Sequence, residues 1–91
     1  MQVPKKSYAV KLFKNLANGN RLEILELLSA SSQEPVNVNA IAEALNIHQA
    51  TLSTHLQRMR RDGIISAKQE GQNMYYSIKD KNALKFLKQI S

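Results

Sequence analysis

Residues 38–64, VNAIAEALNIHQATLSTHLQRMRRDGI, decide the fold of this chain. Asn37, just before them, is a residue type that caps helix N-termini, and Ile41 and Leu45 lie four apart, which predicts a short helix from Val38 to Leu45 with both on its inner face. Asn46 accepts the left-handed backbone that stops a helix, and Ile47 follows as an apolar anchor. From Gln49 the periodicity resumes. Leu52, Leu56 and Met59 form an i, i+4, i+7 stripe, while Gln49, Ala50, Ser53, Thr54, Gln57 and Arg61 share the opposite face, so a longer helix is predicted from Gln49 to Asp62. Its end is well specified: Gly63 suits the left-handed residue past a helix, and Ile64 is placed to touch Met59, as a Schellman turn requires.

Working outward, Tyr8, Ala9, Leu12, Phe13 and Leu16 recur at three- and four-residue intervals and predict an amphipathic helix from Lys5 to Ala17. Asn18-Gly19 ends it, and Asn20 with Glu23 is read as the capping pair of the next helix. That helix carries Leu22, Ile24, Leu25, Leu27 and Leu28, a band too wide for a surface helix, so it is expected to be the most buried element. Ser29 to Pro35 reads as a loop. Beyond Gly63, Ile65–Lys68 and Met74–Ile78 alternate apolar and polar residues around Glu70-Gly71-Gln72-Asn73 and predict a two-stranded hairpin, with Tyr75 and Tyr76 on opposite faces. Asp80 is placed to cap a last helix through Ile90, whose apolar residues are Ala83, Leu84, Phe86, Leu87 and Ile90. The expected fold is mainly α with a small β-hairpin, in the order α-α-α-α-β-β-α.

A chain of 91 residues supplies one compact core, so a single domain over 1–91 is expected. Hydrophobic residues at 43% with 22% charged residues place it among folded chains. The net charge of +6 favours a polyanionic partner such as nucleic acid. The chain has no cysteine, which excludes disulfides, thiolate metal sites and thiol redox chemistry. No apolar run approaches the roughly 20 residues of a membrane span. The N-terminal MQVPKKSYAVKLFKNLA lacks a secretory signal pattern, and a cytoplasmic protein is expected.

Two helices joined by the three-residue turn Asn46-Ile47-His48, the second faced with short polar side chains, are what a helix-turn-helix reader of the DNA major groove requires. Short groups let the helix axis approach base edges, where Gln, Ser and Thr hydrogen-bond. No acidic residue lies on the second helix before Asp62, and Arg58, Arg60 and Arg61 stand at its far end, where they meet phosphates. The hairpin that follows is suited to act as a wing.

Leu16-Ala17-Asn18-Gly19-Asn20-Arg21-Leu22-Glu23-Ile24-Leu25, Ile41-Ala42-Glu43-Ala44-Leu45, Thr51-Leu52-Ser53-Thr54-His55-Leu56 and Glu70-Gly71 with Tyr75-Tyr76-Ser77-Ile78 occur in the order and spacing of one family. Over nearly its whole length the chain resembles the ArsR/SmtB family of winged-helix repressors. The resemblance implies base contacts from Gln49, Ala50, Ser53 and Thr54, and backbone contacts from Thr51, His55 and the hairpin residues Lys68 and Gln72. Ala50 and Thr54 depart from the family's usual Ser and His, and Gln72 replaces a common wing-tip Arg. It further implies a homodimer formed through the first and last helices, with Tyr8, Leu12, Leu84, Leu87 and Ile90 at the interface. Such a dimer sets two recognition helices on a pseudo-palindromic operator in double-stranded DNA, with half-sites about one helical turn, or a multiple of it, apart.

Three other functions are weighed against this. His48 and His55, seven residues apart, stand about 10 Å apart along a helix, too far to share a metal ion. The family's metal positions are occupied here by Asn39-Ala40-Ile41-Ala42 and by Asp80 without a histidine. No metal or other cofactor is expected. Ser53 and His55 are two residues apart on a helix and point to different sides, so no catalytic dyad forms and no enzyme is expected. The rival reading is a winged helix that binds other proteins without reading DNA. Such a module has no need of the short, uncharged-to-basic outer face seen from Gln49 to Arg61. The sequence names no effector.

Overall fold

The computed structural model describes residues 6–31 and 34–90. Lys5, where the first helix is predicted to begin, and Ser32–Gln33 of the predicted loop lie outside them. The elements are α1 (Lys6–Leu16), α2 (Gly19–Ala30), β1 (Val36–Asn37), α3 (Val38–Leu45), α4 (Gln49–Arg61), β2 (Ile65–Glu70), β3 (Asn73–Ile78) and α5 (Lys81–Ile90).

The local stop and start signals act as residue chemistry requires. Asn37 accepts the N–H of Asn39 at 2.7 Å and opens α3, and Asn46 closes it in the left-handed region at φ 52°. Gly63, at φ 78°, ends α4 in a Schellman turn: Ile64 N–H bonds Met59 C=O and Gly63 N–H bonds Arg60 C=O, both at 3.0 Å. Asp80 Oδ1 accepts the Ala83 N–H at 2.9 Å and opens α5.

The cap of α2 is Asn18, whose Oδ1 accepts the Arg21 N–H at 3.1 Å, and Asn20 lies inside the helix. Asn18 sits in extended backbone (φ −91°, ψ 122°) directly after α1, so its side chain reaches the third N–H of a helix that starts two residues earlier than expected.

The predicted hairpin is longer and is part of a larger sheet. β2 and β3 pair from Ile65↔Ile78 to Glu70↔Asn73 across a two-residue turn, Gly71-Gln72, with Gly71 at φ 62°. Val36 and Asn37 then pair antiparallel with Tyr76 and Tyr75, giving the order β1-β3-β2. A two-residue strand shows no alternation, so β1 is invisible without its partner. At the base of the wing, Lys79 and Asp80 both donate to the Ile64 carbonyl, at 2.9 and 3.1 Å.

Helix α2 is the centre of the core, as its apolar band predicts. Ile24, Leu25 and Leu28 are buried, and α2 contacts α1, α3, α4, α5 and β3. Ile41 from α3, Leu52, Leu56 and Met59 from α4, Ile64 and Ile65 at the root of the wing, and Ala83 and Leu87 from α5 complete the interior. Helix α4 is therefore fixed by three buried side chains on one face, each contributing about 1.5–3 kcal/mol of burial.

Candidate nucleic-acid interface

The face of α4 turned from the core carries Gln49, Ala50, Ser53 and Thr54, all exposed. At its N-terminus His48 is the cap, its Nδ1 accepting the Ala50 N–H at 3.3 Å, a role the sequence reading did not assign. Gln49 Nε2 donates to Asn39 Oδ1 at 2.6 Å, so α3 holds the Gln49 amide in place. One Nε2 hydrogen and the amide oxygen remain free, the donor–acceptor pair that reads adenine in the major groove. The Asn39 contact is one that sequence reasoning missed, since it lies ten residues from its partner. Thr54 donates its hydroxyl to the Ala50 carbonyl at 3.1 Å, leaving its oxygen lone pairs and its methyl group to face outward. Gln49, Ala50 and Ser53 line a groove of about 390 Å³ against Val38, Met74 and Tyr76, so one edge of the reading face adjoins the wing.

The opposite edge adjoins α1 and α2. Successive residues turn 100° about a helix, so Thr51, His55, Arg58 and Asp62 form a row on the far side of the reading face from Ser53. The Arg58 side chain lines a cleft of about 620 Å³ with Lys6, Lys11 and Lys14 of α1. His55 faces Arg21 and Asn20 of α2: Arg21 Nε lies 3.5 Å from Nδ1 and Asn20 Nδ2 lies 3.4 Å from Nε2. Burial of the ring, and then the Arg21 charge, hold the His55 pKa below its ordinary 6.5. Asn15, fully buried, donates through Nδ2 to the Lys11 carbonyl at 2.7 Å and to Asp62 Oδ2 at 3.0 Å, fastening the end of α4 to α1.

On the wing, Lys68 and Gln72 are exposed. Lys68 pairs with Glu70 at 3.1 Å, with both side chains more than half exposed, so the pair is worth little and leaves Lys68 available to a phosphate.

The expected interface residues divide. Leu12 and Leu87, expected at the interface, are packed into the chain's own core. Tyr8 is half-buried, and its hydroxyl donates to the Asp80 carboxylate while accepting from Asn82 Nδ2 at 3.0 Å, tying α1 to α5. Leu84 is half-buried and Ile90 is exposed. The exposed large apolar side chains of α1 and α5 are Val10, Phe13, Phe86 and Ile90. Among the described residues no three His, Cys, Asp or Glu side chains converge to hold a metal, and no helix is long and apolar enough to cross a membrane.

Comparison with known proteins decides the family. A family model described as a helix-turn-helix domain matches residues 16–66. The homodimeric winged helix-turn-helix DNA-binding domain from Mycobacterium bovis, described as a possible ArsR-family transcriptional regulator, matches with a TM-score of 0.79 and 32% identity, covering 98% of this chain and 83% of that one. This chain belongs to the ArsR/SmtB family of winged helix-turn-helix transcription regulators. The transcriptional activator HlyU of Vibrio cholerae is 36% identical over 70 residues, 77% of this chain and 62% of HlyU. The HlyU structure gives a TM-score of 0.85 at 29% identity, covering 96% of this chain and 94% of that one. A helix-turn-helix regulator of Mycobacterium tuberculosis is 42% identical over 65 residues, 71% of this chain but only 27% of its own length. The chain thus spans less than two thirds of either curated relative. In this ArsR/SmtB member α3 and α4 are the helix-turn-helix and β2 and β3 the wing, with β1 paired to β3 beside α3.

Proposed function

We propose that this chain is a sequence-specific regulator of transcription that binds a pseudo-palindromic operator as a homodimer. The observation that carries the reading is the outward face of α4: four short, uncharged, exposed side chains, with the wing on one edge and arginines on the other. Base contacts are assigned to Gln49, Ala50, Ser53 and Thr54, and backbone contacts to Thr51, His55, Arg58, Arg61, Lys68 and Gln72. Repression is the output proposed, since an occupied operator excludes polymerase sterically with no further contact surface.

The test is fluorescence anisotropy of the protein with duplex from upstream of its own gene, beside scrambled duplex, at two salt concentrations. Tight binding confined to the native duplex and surviving the higher salt is expected. Equal binding released together by salt would leave only non-specific electrostatics. Binding to neither would put the protein-interaction reading first. Within that assay Arg58→Ala is expected to weaken both duplexes by a similar factor and to flatten the logarithmic salt dependence by about one. A loss confined to the native duplex would remove Arg58 from the phosphate contacts.

The dimer is proposed to form through the outer faces of α1 and α5. Phe13 is 63% exposed and Ile90 55%, with Val10 and Phe86 near 40%, on two helices already joined through Tyr8 and Asp80. Exposed large apolar side chains on both helices offer surface that a second copy would cover. Phe13→Asp is expected to keep the fold but to give monomers in sedimentation equilibrium, with operator affinity lower by on the order of 100-fold through loss of the second half-site. A variant that remains dimeric would place the interface elsewhere.

A further inference from the structure

Three side chains on the α2 edge of the reading helix have no anion among them. Arg21 brings five N–H donors, Asn20 two and a neutral His55 one, against one amide oxygen and one ring nitrogen as acceptors. The imidazole contacts, at 3.4 and 3.5 Å, lie at the outer limit of hydrogen bonding. Among the described residues no carboxylate lies within ion-pair distance of Arg21. Arg21 and His55 are half-buried and Asn20 is exposed, so the cluster opens to solvent. A partly buried guanidinium set against a neutral ring is stabilised by an oxyanion that takes up the unused N–H groups.

Position identifies the oxyanion. His55 lies in the row Thr51, His55, Arg58, about 140–200° around α4 from Ser53, which adjoins the wing. A major groove is walled by two phosphate strands. With the wing beside one strand, the far edge of the helix meets the other.

We infer that Asn20, Arg21 and His55 form a binding site for one DNA backbone phosphate, on the strand opposite the one contacted by the wing. The site adds two residues of α2 to the DNA-contacting surface and makes the pair a clamp across the groove. It rests on the DNA-binding reading above. In the free protein burial of the ring and then the Arg21 charge disfavour imidazolium; an entering phosphate neutralises that charge and sets an anion beside the ring, so the His55 pKa rises on binding. Affinity therefore increases as pH falls between the bound and the free pKa values.

The experiment has two readouts on the full chain. In the first, NMR titration of the wild-type His55 ring follows its pKa free, with bound native duplex, and with inorganic phosphate at matched ionic strength. A pKa higher by about one unit or more with duplex, and unmoved by inorganic phosphate, is expected. The same rise with inorganic phosphate would make this a free-anion site and overturn the assignment to DNA; no rise with bound duplex would overturn the site itself. In the second, Arg21→Gln is expected to weaken native and scrambled duplex by the same factor, about 3- to 10-fold, and to lower the salt slope by about one, while Arg21→Lys keeps the slope. A glutamine variant that melts as wild type does and retains the full slope would also overturn it. If the wild-type protein binds no duplex, the regulator reading fails first, and the two failures are told apart in one titration.

Discussion

Leu56→Ala is expected to cost this domain about 2–5 kcal/mol, the range for removing a buried leucine whose cavity collapses only partly. Leu56 is 1% exposed at the middle of the inner face of α4, between Leu52 and Met59. Against a total stability of roughly 5–15 kcal/mol this is a large fraction, and the melting temperature of so small a domain should fall by at least about 10 °C. Gln57→Ala, the exposed neighbour, should stay within about 0.5 kcal/mol of wild type. Thermal unfolding at fixed protein concentration compares the two. A melting temperature for Leu56→Ala within 2–3 °C of wild type, about half a kcal/mol by the same scaling, would mean that α4 is not held by its inner stripe, and the placement of the reading face would go with it.

The second large effect falls on specificity. Gln49→Ala is expected to reduce discrimination between native and scrambled duplex by about 1–3 kcal/mol, roughly 5- to 150-fold, with little change in non-specific affinity. The amide is presented by Asn39, so Asn39→Ala should produce a smaller loss in the same direction by freeing the side chain to other rotamers. Competition binding measures both. Equal losses on the two duplexes for Gln49→Ala would remove Gln49 from base reading and leave Ser53 and Thr54 as the polar readers.

The helix-turn-helix was legible because its signals are short-range. Asn37, Asn46 and Gly63 each act on backbone within a few residues, and the stripe Leu52, Leu56, Met59 repeats at the helical period. The outward face of α4 followed from the same wheel. The apolar bands of α1 and α5 were legible as bands, but not which part of each would be covered. In α1 the residues turned inward are Leu12, Asn15 and Leu16, while Phe13 of the same band is left outside. In α5, Ala83 and Leu87 face the core and Ile90 does not. Periodicity assigns side chains to a face. How much of that face a neighbouring helix covers depends on the packing of elements distant in sequence.

What the sequence by itself determined is the class of protein: the paired helices, the left-handed stops, the short uncharged reading face and the excess of basic residues are all properties of neighbouring residues. What only the tertiary structure decided are pairings between residues tens of positions apart. Asn37 meets Tyr75 in the sheet, Asn15 reaches Asp62 to fasten the reading helix to α1, and Arg21 and Asn20 reach His55. Such contacts depend on the core around Ile24, Leu25 and Leu28 holding the helices together, and no local propensity encodes them.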